Sequence, residues 1–149
     1  MKLEWGLTAG NAEGEVERLL AVSRKAEGGL PLTKAQARPV AQAHSEALRR
    51  TGRIEFGKSA AEKLVEIFAG SPWLTREEQG QQLAELAALF YDCRAELPDS
   101  LPDGWLLEQM RRAFDGPCRG CMELMNDCFL LQLPRHLRQG GRPEDFGRL

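Results

Sequence analysis

Residues 59–72 read SAAEKLVEIFAGSP, and this stretch decides the fold class. Ser59 and Glu62 stand three residues apart, which is the spacing of a capping box at the N-terminus of a helix. Apolar side chains follow at one-, two- and three-residue steps that place them on one side of a helix: Leu64, Val65, Ile67 and Phe68. The closing Gly-Ser-Pro ends the helix, because proline cannot continue it.

The same combination of caps and apolar spacing recurs on both sides of this stretch. It predicts five more helices: from Asn11 to Gly28, from Thr33 or Pro39 to Gly52, from Thr75 to Pro98, from Asp103 to Gly116 and from Pro117 to about Pro134. Short connections between helices favour an all-α domain of five to six helices, in an antiparallel bundle or an orthogonal array. We expect one domain over residues 1–149, with loosely ordered ends at residues 1–10 and 139–149.

Pro39 complicates the second helix. A proline inside a helix removes a backbone donor and clashes with the carbonyl four residues earlier. We therefore expect the regular part of this helix to start near Pro39, or the helix to kink there.

The segment Gly52–Gly57, GRIEFG, is the least helical part of the chain between its two ends. Ile54 and Phe56 alternate with Arg53 and Glu55, which is typical of an extended stretch with one apolar side. We expect a short extended connector at residues 52–57 whose apolar side chains plug the core. Truncating Phe56 to alanine would then cost roughly 3–5 kcal/mol of stability.

Composition excludes several classes of protein. A chain of 149 residues with 42% hydrophobic residues can bury a core without disulfides or metals. It has no apolar run of about 20 residues, as a membrane helix needs, and Glu4 interrupts the region where a signal peptide would be apolar. We therefore expect a cytoplasmic protein that spans no membrane. A net charge of −2 gives no general electrostatic attraction to nucleic acid, so we do not expect specific nucleic-acid binding.

Charge is unevenly distributed along the chain. From Lys34 to Lys63 there are seven basic and three acidic residues, whereas from Arg76 to Glu108 there are two basic and eight acidic residues. The two segments could attract each other across the fold. Alternatively, an acidic helix face could bind a basic protein partner, through Glu77, Glu78, Glu85, Asp92 and Glu96. Because no catalytic set is visible, the second interpretation suggests a non-enzymatic interaction or accessory module.

Arg49, Arg50 and Arg53, followed by Glu55, form a second candidate site. A guanidinium matches carboxylates and phosphates in two-point geometry, so this cluster could bind a small anionic ligand. The alternative, which we favour, is a helix C-terminus stabilised by basic residues, with Arg53 paired to an acid from elsewhere.

A third candidate site is Cys118-Arg-Gly-Cys121 with Cys128 seven residues later. At a helix N-terminus Cys118 would have a lowered pKa and could act as an attacking thiolate or a metal ligand. A zinc site needs four ligands, and the fourth would have to be Cys93 or His136. We favour core thiols, and we expect no cofactor.

Histidine chemistry is equally sparse. The only histidines are His44 and His136, and neither is near a serine nucleophile motif. His44 lies on the apolar face of its helix, which favours a core or boundary position over a catalytic one.

Several residues between about 30 and 125 carry a resemblance to a family of small bacterial cytosolic proteins with a domain of unknown function. They are Leu32-Thr33, Gly52–Gly57, Lys63-Leu64-Val65 with Phe68, Ser71-Pro72, Phe90-Tyr91, Glu96, Met110 and Phe114. The resemblance implies a cytoplasmic bacterial protein and assigns no reaction or ligand. Cys118, Cys121 and Cys128 depart from the family pattern, which weakens the metal hypothesis.

Overall fold

The computed structural model describes the backbone of residues 2–26 and 28–146, and side chains from residue 13 onward within those ranges. Its elements are α1 (Lys2–Lys25), α2 (Lys34–Thr51), α3 (Ala60–Phe68), α4 (Gln79–Arg94), α5 (Asp103–Asp115), α6 (Met122–Met125), a π-helical turn (Asn126–Leu130), α7 (Gln132–Arg138) and α8 (Pro143–Phe146). No strand occurs in the ranges described, so the all-α prediction is confirmed. None of the described helices is long and apolar enough to cross a membrane.

One continuous apolar core joins the helices. α2 packs along α4, and α1 and α3 pack beside them. The rings of Phe68 and Phe114 meet edge to face at 5.6 Å between centroids, which joins α3 to α5. The largest side chains with almost no exposure include residues of α1, α3, α4 and α5: Leu19, Leu64, Phe68, Leu86, Phe90, Tyr91, Leu106, Met110 and Phe114.

The predicted start of the first helix is wrong, and of the two alternatives for the second helix the cap at Thr33 is confirmed. α1 begins at Lys2, so Asn11 lies inside the helix and does not cap it. α2 begins at Lys34, because the Thr33 hydroxyl accepts from the Gln36 amide and the Gln36 side chain accepts from the Thr33 amide. This reciprocal cap sets the start, and Pro39 is accommodated in the second turn of the helix.

The predicted start at Pro117 is also wrong. Arg119 and Gly120 have positive φ values of 46° and 77°, which are incompatible with a helix, and α6 begins only at Met122. The π-helical turn that follows holds one extra residue per turn and rotates the later side chains relative to the earlier ones. The predicted apolar stripe is divided, because Cys121 lies before α6 and Cys128 lies within the π-helical turn: Met125 is buried, whereas Cys121, Leu124, Cys128 and Leu131 are exposed.

The segment Gly52–Gly57 contains neither helix nor strand, and its side chains alternate in exposure as predicted, but the two sides are reversed. Ile54 is 75% exposed and Phe56 is 88% exposed, so neither plugs the core. Glu55 points inward instead, with a side chain only 8% exposed. The predicted alternation was correct, but the assignment of the apolar side to the core was wrong. Glu55 is on the inner side because it finds buried ionic partners there, and Ile54 and Phe56 are consequently on the outer side.

The chain ends were predicted to be loose. Residues 143–146 form α8, and Phe146 is buried against Phe129 with ring centroids 5.3 Å apart. Met1 and residues 147–149 lie outside the described residues, as do the side chains of residues 2–12.

Candidate functional site

Within and beneath the Gly52–Gly57 segment lies a group of buried and half-buried polar side chains, here called the ion cluster: Glu15, His44, Arg53, Glu55, Tyr91, Arg94 and Asp103. His44 of α2 is at its centre and is 7% exposed. Its Nδ1 pairs with Glu15 of α1, and its Nε2 lies 2.6 Å from Oε1 of Glu55. Three separate parts of the chain thus meet at one imidazole.

Glu55 is saturated with hydrogen bonds. Besides His44, its carboxylate accepts from the Tyr91 hydroxyl at 2.7 Å, from Nε of Arg53 at 3.0 Å and from the Ala60 amide at 3.4 Å. The Ala60 amide is one of the donors that the first turn of α3 leaves without a helical partner. Glu55 therefore ties the segment to α2, to α4 and to the start of α3.

Asp103 extends the ion cluster to α5. It accepts from the Arg53 guanidinium and, at 2.8 Å, from Nε of Arg94. Arg94 also donates to the carbonyls of Pro98 and Leu101, at 3.1 and 2.9 Å. Asp103 was predicted to cap α5 but lies in its first turn, where it receives two guanidinium groups.

The ion cluster is electrically balanced only if His44 is protonated, because three carboxylates then face two guanidiniums and one imidazolium. Burial alone would lower the pKa of His44, but hydrogen bonds to Glu15 and Glu55, and attraction to both charges, raise it to about 9. Burial opposes ionisation of Glu55, yet hydrogen bonds from His44 and Tyr91 and the nearby positive charges lower its pKa to about 2. Burial and the Glu55 carboxylate raise the pKa of Tyr91 well above its usual value.

This geometry gives His44 a structural role. Both ring nitrogens are engaged by carboxylates and the side chain is buried, so no nitrogen is free to take a proton from a substrate. The structure places His44 in the buried position that the sequence analysis favoured. His136 is half-buried and bonded through Nε2 to the carbonyl of Arg142.

The three arginines predicted to bind an anion do not converge. Arg53 is held by Glu55 and Asp103 of the ion cluster. Arg50 pairs with Asp92 of α4 at 2.7 Å on the surface. Arg49 is exposed on the last turn of α2. The geometry agrees with the favoured alternative, in which Arg53 is neutralised by acids from elsewhere.

All five residues of the predicted acidic face are exposed: Glu77, Glu78, Glu85, Asp92 and Glu96. Two of them are engaged within the chain, since Asp92 pairs with Arg50 and Glu96 lies 3.9 Å from Arg138. The Arg50–Asp92 and Arg53–Asp103 pairs show that the basic and acidic segments attract each other at two points.

The other end of this face borders an open groove of about 470 Å³ between α4 and the start of α6. We call it the acidic groove. Its lining is Glu78, Gln81, Gln82, Glu85, Gly120, Cys121, Met122 and Glu123. Among the residues described there, three are carboxylates and none is basic.

The cysteines do not form the predicted site. In the described part of the chain, no group of three His, Cys, Asp or Glu side chains is placed to hold a metal ion. Cys118 is buried in a turn, and burial, followed by the neighbouring Cys128 and Cys121, raises its pKa, which is the reverse of an activated thiolate. The core interpretation holds for Cys93 and Cys118 but is wrong for Cys121 and Cys128, which are exposed.

Sequence reasoning did not assemble the ion cluster and gave three of its seven members no role. Glu15, Tyr91 and Arg94 were not identified, and neither was Glu123 of the acidic groove. Side chains that bond to each other in the ion cluster lie far apart in sequence; Arg53 and Asp103, for example, are 50 residues apart. One signal was available: Glu15, Tyr91 and Arg94 occupy the buried sides of their helices, where a polar residue needs a partner.

Fold and site together define a class: a small all-helical protein with a buried ion cluster and no assembled catalytic set among its described residues. A family model described as "Family of unknown function (DUF6323)" matches residues 18–143, and the chain belongs to that family. No curated protein and no solved structure matches the chain.

Proposed function

We propose that this protein is a non-enzymatic interaction module that binds a basic protein partner through its acidic face. The observation that carries the proposal is the acidic groove, whose described lining contains Glu78, Glu85 and Glu123 and no basic side chain. A concave surface lined by charge of one sign concentrates its electric field and attracts oppositely charged partners.

The groove also offers apolar contact. Met122 is half-buried in its lining. Protein interfaces combine an apolar centre with a polar rim. The groove therefore suits a partner segment that presents lysine or arginine beside an apolar side chain.

The two alternatives receive less support. A small anion would have to displace the carboxylates that hold Arg50 and Arg53. A metal function would need a set of ligands, and no set of three or more His, Cys, Asp or Glu side chains is placed to hold a metal ion among the described residues. A thiol function would need an activated thiolate, whereas burial raises the pKa of Cys118.

The experiment is affinity capture from native lysate with the wild-type chain and a charge-reversed variant, Glu78→Lys with Glu85→Lys. A partner captured at low salt, released as salt screens the charges, and lost in the variant supports the proposal. The matched control is Glu17→Lys with Glu108→Lys, which reverses two other exposed acids for the same net charge. Equal capture by both double variants would refute it.

A further inference from the structure

The loop formed by residues 52–58, here called the Ile54–Phe56 loop, presents two large apolar side chains to solvent. Phe56 is 88% exposed and Ile54 is 75% exposed, more than any other large apolar residue among those described. Single exposed apolar residues are common on proteins. Two on one short segment, each standing clear of the fold, form a concentrated apolar surface.

The loop is held in this conformation. Glu55, between the two exposed side chains, is fixed by bonds to His44, Tyr91, Arg53 and the Ala60 amide. Gly52 and Gly57 bracket the segment with φ values of 72° and 71°, a region that side-chain-bearing residues rarely adopt. A loop that is already ordered loses little conformational entropy on binding, so its contacts contribute more fully to affinity.

The charged side chains that flank the loop are basic on the outside. Between residues 49 and 63 the two acids, Glu55 and Glu62, have side chains only 8% exposed, because Glu62 pairs with Arg18. The basic residues of this range are exposed or half-buried: Arg49, Arg50, Arg53, Lys58 and Lys63. Three of these have acidic partners within the chain, namely Arg50, Arg53 and Lys58. Arg49 and Lys63 make no salt bridge among the described residues and supply positive charge beside the loop, with the exposed Glu46 one turn before Arg49 on α2.

The acidic groove has the complementary properties. The carboxylates of the groove are opposite in charge to Arg49 and Lys63, which flank the loop. Met122 in the groove offers an apolar contact for Phe56 of the loop. Its volume of about 470 Å³ is large enough to receive a phenyl ring. Loop and groove lie on the same chain, so two copies can satisfy each other.

We propose that the Ile54–Phe56 loop of one copy docks into the acidic groove of a second copy of this chain. The inference rests on the proposed function, for which it names the partner. The contact joins two different surfaces, so it is heterologous, and repetition of it builds a ring or an open chain of subunits.

Sedimentation velocity over a range of protein concentrations tests the contact. The wild-type chain should associate with rising concentration and dissociate as salt is added. Phe56→Ala, and separately Glu78→Lys with Glu85→Lys, should weaken association about tenfold or more, as loss of a central contact does. Leu131→Ala, which truncates another exposed apolar residue, and Glu17→Lys with Glu108→Lys should leave association unchanged.

Mixing the two defective variants gives the sharpest result. The Phe56→Ala chain keeps its groove and the groove variant keeps its loop, so an equimolar mixture should form a one-to-one complex that cannot grow further. A mixture that stays monomeric, or a wild-type chain that is monomeric up to about 1 mM, would overturn the inference. The wild-type chain could be monomeric and still capture a partner from lysate that the Glu78→Lys, Glu85→Lys variant does not capture. In that case only the self-docking fails, and the proposed function stands.

Discussion

Glu55 is the side chain on which the conformation of the Gly52–Gly57 segment depends. Sequence reasoning recognised an extended segment with alternating sides, and it placed the apolar side inward because burial of Ile54 and Phe56 is favourable. What it lacked was the set of partners that Glu55 finds on α2, α3 and α4, together with Arg53. Those partners converge only after the helices pack, so the correct side could not be read from residues 52–57 alone.

Phe56→Ala should change the free energy of unfolding by no more than about 0.5 kcal/mol, because an exposed ring loses few contacts on truncation. Phe68→Ala is the matched control: it removes a ring that is completely buried and should cost about 3–5 kcal/mol. Denaturant unfolding of both variants measures the difference. A loss for Phe56→Ala as large as that for Phe68→Ala would mean that the ring is packed in solution.

Two helices approach each other closely at Gly80 of α4. A Cβ at this position would lie 2.8 Å from Cα of Gln36 on α2, closer than real Cβ atoms come. Gly80→Ala should therefore destabilise the protein by roughly 1–3 kcal/mol, as overpacking does.

Gly104, in the first turn of α5, is the control for this substitution. A Cβ there meets nothing within 4 Å. Gly104→Ala should be neutral or stabilise by up to about 1 kcal/mol, since alanine favours a helix over glycine. Thermal unfolding distinguishes the two variants, and equal melting temperatures would argue against close packing of α2 on α4.

Helix content was readable from the sequence because caps and apolar spacing are local. Thr33 and Ser59 do cap α2 and α3 through their hydroxyls. The start of α6 was not readable, because it depends on backbone conformations at Arg119 and Gly120 and on a π-helical turn. The exposure of Cys121, which precedes α6, and of Cys128, within the π-helical turn, was therefore not predicted.

The cysteines provide a chemical check on that turn. In the native protein, the thiols of Cys121 and Cys128 should react rapidly with an aromatic disulfide reagent, because both are exposed. Cys118 and Cys93 should react only after unfolding, since both are buried and burial raises the pKa of Cys93 to about 12. Cys121→Ser and Cys128→Ser should each remove one fast equivalent. Rapid reaction of all four thiols would contradict the described packing.

Across the entire fold, the ion cluster joins α1, α2, α4, α5 and the Ile54–Phe56 loop. It buries an equal number of positive and negative groups only while His44 is an imidazolium. Removal of one charge from such a group leaves another without compensation, which is strongly destabilising. The ion cluster, with its positive and negative charges equal in number, thus holds the Ile54–Phe56 loop in its outward conformation.

The pH dependence of the unfolding free energy tests this claim most directly. The pKa of His44 is raised from 6.5 to about 9, so its contribution is complete below pH 6.5 and is lost as pH rises towards 9. The pKa of Glu55 is lowered from 4.5 to about 2, so its contribution is present above pH 4.5 and is lost as pH falls towards 2.

Denaturant unfolding at a series of pH values should therefore show greatest stability between about pH 4.5 and 6.5. Stability should decline from pH 6.5 to 9, and His44→Gln should be less stable and should lack this decline. An unfolding free energy that is constant or rises between pH 6.5 and 9 in the wild-type protein would contradict the account.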